Sequence, residues 1–384
     1  MLPRKLDSGI CINNFRASGV RNEEYGVAII MNDEVCETAG VFTKNSIKSG
    51  SVIVSMNNIK NGFQAVVANS GNANACIRDS VRNAREMCNI TANELDIPAK
   101  NIGVASTGII GRELNLKKIR ELIRTATSRL SNSWEGSRDA AKAIMTTDTK
   151  IKEISLEYED IKIGAICKGS GMIAPNLATM LCFITTNANL SRETLQNELR
   201  NSVENSFNML TIDNEMSTND TVILMSDKSE DCDVEDFRYL LNYATIELAK
   251  MMAKDGEGAT KFIQVEVRNA ETLNKARIGA KRIASSALVK TAIYGENPNW
   301  GRIIAALGSI IEFDFYKTDI IFKSNGRSAK IVENGNVMDI NDAKEILRGN
   351  EIEIIVDIKQ GKFSATAFGC DLSPEYIRIN AEYN

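Results

Sequence analysis

The chain has 384 residues, enough for two domains and a large core. Hydrophobic residues at 43% and charged residues at 25% are usual for a globular protein, while a net charge of −4 and 6% aromatics offer no basic or stacking surface for nucleic acid. Histidine is absent, which excludes Ser-His-Asp and Cys-His hydrolytic designs and removes the commonest zinc ligand and the usual general base.

The first residues, MLPRKLDSGICINNF, lack the apolar centre of a secretion signal, and no later apolar run reaches the length of a membrane span. A cytoplasmic protein with no membrane attachment is expected. Strands are predicted at 25–31 (YGVAIIM), 51–56 (SVIVSM) and 64–68 (QAVVA), the last running into the turn-rich NSGNANAC. Another strand, at 101–105, ends in STGIIG, 106–111. A helix follows from Asn115, with Leu116, Ile119, Leu122, Ile123 and Ala126 on one stripe. Residues 191–207 read as a helix capped by Ser191, and 234–254 as a helix that stops near Asp255-Gly256. The strand KFIQVEV follows at 261–267, and the last third mixes strands (DIIFK, EIEIIVDI, FSATAF) with short helices. Strand-like and helix-like runs thus alternate, predicting α/β or α+β architecture with domains at 1–235 and 236–384. Eight cysteines lie singly with no C-x-x-C pair, which argues against a metal cluster and for reduced thiols; Cys76 and Cys182 are read as packed residues.

One segment, KGSGMIAPNLATMLCFITT at 168–186, joins a glycine-rich loop to an apolar strand, with Thr179 at the junction. Taken alone, a threonine there is structural, since its β-branch suits strands. Scission of the Ala178–Thr179 bond would change that. Thr179 would attack the Ala178 carbonyl, and water would open the resulting ester. The freed α-amine, with an ordinary pKa of about 7.7–8.0, would then serve the hydroxyl as base.

KGSGMIAPNLATML at 168–181 resembles the self-cleavage site of the ornithine acetyltransferase family, the bifunctional arginine-biosynthesis proteins also called glutamate N-acetyltransferases. NSGNANAC (69–76), STGIIG (106–111), MTTDT (145–149), STNDT (217–221), DGEGATK (255–261), LVKTAIYGENPNWGRI (288–303) and YIRINAEY (376–383) resemble the family's other signature blocks, in its order. The resemblance implies a layered αββα sandwich carrying the cleavage site, and a smaller α/β domain whose tail returns to the active site. It also implies fragments 1–178 and 179–384 assembled as an α2β2 heterotetramer. The implied activity is ping-pong transfer of acetyl from N2-acetyl-L-ornithine to L-glutamate through acetyl-Thr179. No cofactor or metal is expected, and acetyl-CoA use as a second donor is left open.

Carried over residue by residue, Thr107 and Gly108 match the oxyanion hole. Thr146, Lys168, Glu257 and Asn380 match substrate-binding residues. Lys168 would pair with a substrate carboxylate; Glu257 would hold the substrate's ammonium or share proton transfer with the Thr179 amine. The family usually ends in Ser or Thr about five residues beyond Asn380; here the given sequence reaches Asn384, four beyond, so either Asn384 or its carboxylate is expected to substitute, or a residue has been lost from the chain as given. Outside the family, each reads more simply: Thr107-Gly108 as a capping turn, Lys168 as a solvated loop lysine, Glu257 as a cap, Thr146 as a turn hydroxyl and Asn380 as part of a frayed tail. Asp220 is read as a structural loop carboxylate. Two other functions stay open: a self-processing threonine aminopeptidase or amidase passing acyl groups to water, and a binding protein that never cleaves itself.

Overall fold

A computed structural model describes residues 2–173 and 180–382. Ala178, Thr179 and Asn384 lie outside the described residues. The chain falls into two compact units: 2–169, 180–207 and 216–248 form the first, and 170–173, 208–215 and 249–382 the second.

Among the described residues, the first unit carries one nine-stranded sheet built from β1 (Arg4–Lys5), β2 (Arg16–Arg21), β3 (Gly26–Phe42), β4 (Phe63–Ser70), β5 (Ile102–Ser106), β6 (Lys152–Tyr158), β7 (Ile161–Lys168), β8 (Leu181–Ala188) and β9 (Thr221–Glu230). The order is β1-β6-β7-β8-β9-β3-β4-β5, with β2 also on β3. β3 serves two halves. Residues 26–31 pair with β2 and β4, the register breaks between Met31 and Cys36, and residues 37–42 pair with β9. Such a break bends a strand and lets the halves face each other. Ala28, Ile30, Val66, Ala68 and Ala105 from one half share a core with Ile166, Leu181, Phe183, Ile223 and Met225 from the other.

Because side chains alternate along a strand, the neighbours Val27, Ile29, Val67 and Val104 point the opposite way. They pack on α1 (Gly50–Asn58), α2 (Ser80–Leu95) and α3 (Leu116–Thr127) through Val54, Met87, Cys88, Ile119 and Ile123. Against the second half of β3 lies α5 (Arg192–Asn205), which follows α4 (Trp134–Ile144) in the chain; the Gln196 amide brackets the Gly40 peptide with bonds of 3.1 and 3.0 Å. α6 (Val234–Lys254) joins α5 through a 2.6 Å Ser202–Thr245 hydroxyl bond. The layers therefore run helix, sheet, sheet, helix.

The second unit has a six-stranded sheet among the described residues: β10 (Phe262–Ala270), β11 (Asp319–Ser324), β12 (Arg327–Glu333), β13 (Asn336–Val337), β14 (Glu351–Asp357) and β15 (Phe363–Cys370), in the order β13-β12-β11-β14-β10-β15. β10 and β14 are parallel and the other pairs antiparallel. Alternate residues Ile263, Val265, Val267, Ile352, Ile354 and Val356 pack on α7 (Leu273–Ala284), α8 (Ala287–Tyr294), α9 (Trp300–Gly308) and α10 (Asn341–Leu347). α11 (Pro374–Glu382) closes the described chain.

Local signals explain most boundaries. The Asn115 side chain accepts from Lys118 N–H to start α3, and Ser191 accepts from Thr194 N–H to start α5. The predicted strand at 51–56 is instead the helix α1. Its β-branched residues suggested a strand, but Ser49 caps Val52 N–H, and burial of Val52, Val54 and Ser55 against α2 and β5 overrides propensity. Cys76 is a second correction. It sits at φ +59 at the end of its turn and is exposed, whereas Cys182 is buried in β8 as expected. No helix among the described residues is long and apolar enough to cross a membrane.

Candidate functional site

In the first unit, β5 ends at Ser106 and the chain turns sharply. Thr107 N–H donates to the Asn69 carbonyl at 2.9 Å, and Asn219 Nδ2 donates to the Ser106 and Ala73 carbonyls at 2.8 and 2.6 Å. Three of the quoted blocks, NSGNANAC, STGIIG and STNDT, thus meet around one amide. Gly108 has φ +130, and a Cβ there would lie 2.4 Å from the Gly71 carbonyl carbon, so glycine is required.

Lys168, the last residue of β7, reaches this turn. Its Nζ donates to Thr146 Oγ1 at 2.8 Å and to Thr107 Oγ1 at 3.3 Å. It is 2% exposed, so it is not a solvated loop lysine. The structure therefore brings Thr107, Thr146 and Lys168 together. Thr146 lies between α4 and β6, in the turn that also carries Asp148. Asp148 Oδ1 accepts from Lys152 Nζ at 2.6 Å and Gly169 N–H at 2.7 Å; Oδ2 accepts from Thr146 N–H at 3.1 Å and stands 3.9 Å from Lys168 Nζ. Burial alone would push the Asp148 carboxyl up. The Lys168 and Lys152 ammonium groups, with the Lys152 and Gly169 hydrogen bonds, instead hold it down at about 2. The Asp148, Lys152 and Lys168 side chains are all out of water.

Sequence reasoning gave Asp148, Lys152 and Asn219 no role. One signal was available for Lys152. In KEISLEY it shares the inward-facing parity of Ile154 and Leu156, where a charge needs a partner. Asp220, read as a loop carboxylate, is fully buried at the entrance to β9. Its Oδ1 accepts from Met180 N–H at 3.1 Å. The Thr43 hydroxyl beside it donates to the Ser217 carbonyl at 2.7 Å, leaving Oδ2 with no hydrogen-bond partner among the described residues. Burial pushes this carboxyl well above the usual range.

In the second unit, Glu257 N–H donates to the Ser170 carbonyl at 2.8 Å, and the Glu257 carboxylate lies so close to Gly171 that a Cβ there would approach within 2.4 Å. Asn380, on α11, donates to Glu257 Oε2 at 2.8 Å, so these two predicted residues are also neighbours. Asp213 accepts from Met172 and Ile173 N–H at 2.6 and 2.7 Å and from the Tyr376 hydroxyl at 3.3 Å. Burial raises the Asp213 carboxyl, and burial with the Asp213 charge raises the Tyr376 phenol. Among the described residues no cluster of three or more Cys, Asp or Glu is placed to hold a metal ion.

A model of the ArgJ family matches residues 13–384. The glutamate N-acetyltransferase of Methanocaldococcus jannaschii is 43% identical, covering 99% of this chain and 99% of that protein. The arginine biosynthesis bifunctional protein ArgJ of Caldanaerobacter subterraneus subsp. tengcongensis is 44% identical over 95% of this chain and 94% of its own length. A crystal structure of arginine biosynthesis bifunctional protein argJ from Bacillus halodurans aligns with 52% of this chain and 98% of its own, at 38% identity and a TM-score of 0.49.

Proposed function

The chain belongs to the ArgJ family, and from that premise we propose that it is a self-cleaving glutamate N-acetyltransferase moving acetyl from N2-acetyl-L-ornithine to L-glutamate. Thr179 attacks the Ala178 carbonyl, the acyl chain shifts from nitrogen to oxygen, and water hydrolyses the ester. Fragments 1–178 and 179–384 result, and they assemble as α2β2. The new Thr179 amine takes the hydroxyl proton as Oγ attacks the acetyl carbonyl of acetylornithine. The C–N bond breaks, the proton passes to the leaving ornithine amine, and acetyl stays on Thr179 as an ester. The glutamate amine then attacks that ester and carries acetyl away.

The observation that carries this reading is the turn at Thr107-Gly108 with the Lys168 ammonium on the Thr107 hydroxyl. A histidine-free chain has here placed polarised donors suited to a tetrahedral oxyanion, each such donor being worth about 3–4 kcal/mol. Thr146 orients the substrate, and Glu257 with Asn380 holds its ammonium group.

The test follows labelled acetyl from acetylornithine. The proposal expects N-acetylglutamate to form faster than free acetate, and the same assay with acetyl-CoA reads whether the thioester also loads Thr179. Acetate as the main product would replace transfer by hydrolysis.

A further inference from the structure

We propose that Asp213 and Tyr376 are positioning residues for self-cleavage: they fix the arm at 170–173 that leads into the scissile bond, and they do so once α11 has docked. This deepens the reading above and rests on cleavage before Thr179. Asp213 is saturated by this arm and its support. Oδ1 accepts from Ile173 and Glu215 N–H at 2.7 and 3.2 Å, and Oδ2 accepts from Met172 N–H at 2.6 Å and from the Tyr376 hydroxyl at 3.3 Å. The Ile173 carbonyl accepts in turn from Ile212 N–H at 2.9 Å. Met172 stands at φ +53, a left-handed conformation that a residue with a side chain keeps where its surroundings impose it.

The start of α11 braces the same arm by a second route. A Cβ on Gly258 would lie 2.4 Å from Tyr376 N, and the Ser373 hydroxyl donates to the Gly258 carbonyl at 2.6 Å. The turn held in this way carries Glu257, whose N–H donates to the Ser170 carbonyl and whose carboxylate lies against Gly171. Each residue from 170 to 173 thus meets Glu257 or Asp213, and α11 contacts the support of both. Because α11 follows β15 in the chain, these contacts form after every strand of the second sheet has been made. Residues 174–178 alone separate Ile173 from Thr179, so a fixed arm narrows the conformations through which Thr179 Oγ must find the Ala178 carbonyl carbon. After scission the arm is no longer joined to Thr179, and acetyl transfer loses that dependence.

The test makes the full chain by cell-free synthesis and follows conversion of the 42.2 kDa band into fragments for wild type, D213N, Y376F and the double variant. D213N sets an amide NH2 against the Met172 N–H, two donors facing each other, whereas Y376F removes one hydroxyl. Cleavage should slow about 10- to 100-fold in D213N and about 3- to 10-fold in Y376F. The double variant should cleave within about twofold of D213N, because Tyr376 acts through that carboxylate. Matured fractions, counted by the Thr179 they acetylate, should keep kcat and KM for acetylornithine within about threefold of wild type. Thermal unfolding of the uncleavable Thr179→Ala chain reads folding; if D213N lowers its Tm by more than about 10 °C, Y376F alone decides, on the same two rates. Cleavage at the wild-type rate in the deciding variant overturns the proposal, as does a fall in kcat that matches the fall in cleavage. A wild-type chain that stays whole while active would instead overturn the cleavage reading itself.

Discussion

Asp148→Asn leaves Lys152 and Lys168 buried against a neutral amide. Two routes give the magnitude. A carboxyl held at about 2 instead of 3.8 contributes about 2.5 kcal/mol at neutral pH, at roughly 1.36 kcal/mol per pH unit. Stranding buried ammonium groups costs about 3–5 kcal/mol in comparable pairs, and the larger figure applies because the amide cannot offset either charge. The assay is urea unfolding of the uncleaved Thr179→Ala chain with and without Asp148→Asn, which removes cleavage as a variable. The sign follows from the depressed native value: Asp148 stabilises fully above the ordinary carboxylate range and loses this contribution as pH falls through about 2. The gap between the two chains should therefore be about 3–5 kcal/mol at pH 7 and shrink from about pH 4 to about pH 2. A gap under about 1 kcal/mol at pH 7, the size of a surface pair, would refute the reasoning.

Asp220→Asn should behave oppositely. Burial raises this carboxyl, so the unfolded chain sheds its proton first and wild-type stability declines as pH rises above the ordinary carboxylate range; the amide removes that decline and should cost nothing at pH 7, as thermal unfolding across pH would show. Gly108→Ala places a Cβ 2.4 Å from the Gly71 carbonyl carbon at φ +130, predicting about 1–3 kcal/mol of destabilisation and about 100-fold slower acylation in single-turnover assays. Glu257→Gln keeps an acceptor for Asn380 but loses the charge, so KM for acetylornithine should rise roughly 10- to 100-fold with unfolding unchanged.

Elements with strong local signals were legible. The helix at 234–254 was read to its observed limits because a long amphipathic run ends at Asp255-Gly256. Ser191 marked α5 through its cap. SVIVSM misled because its β-branched residues are helical by virtue of what they pack against, information held in α2 and β5. The candidate site divides likewise. Thr107, Thr146 and Lys168 were found by resemblance, but Asp148, which accepts from three groups around them, was passed over inside a quoted block. One of its partners is the backbone N–H of Gly169, 21 residues away in sequence and just past the end of β7, and the pairing emerges only when α4, β6 and β7 come together.

The central claim is that scission before Thr179 supplies the base and nucleophile that a chain without histidine lacks. Intact mass and N-terminal sequencing of the purified protein, before and after brief exposure to acetylornithine, test it most directly. The account predicts a fragment beginning Thr-Met-Leu-Cys-Phe that gains about 42 Da, the mass of an acetyl group held as acyl-enzyme. An active preparation consisting of uncleaved chain, or one whose acetyl group sits on a different residue, would contradict it.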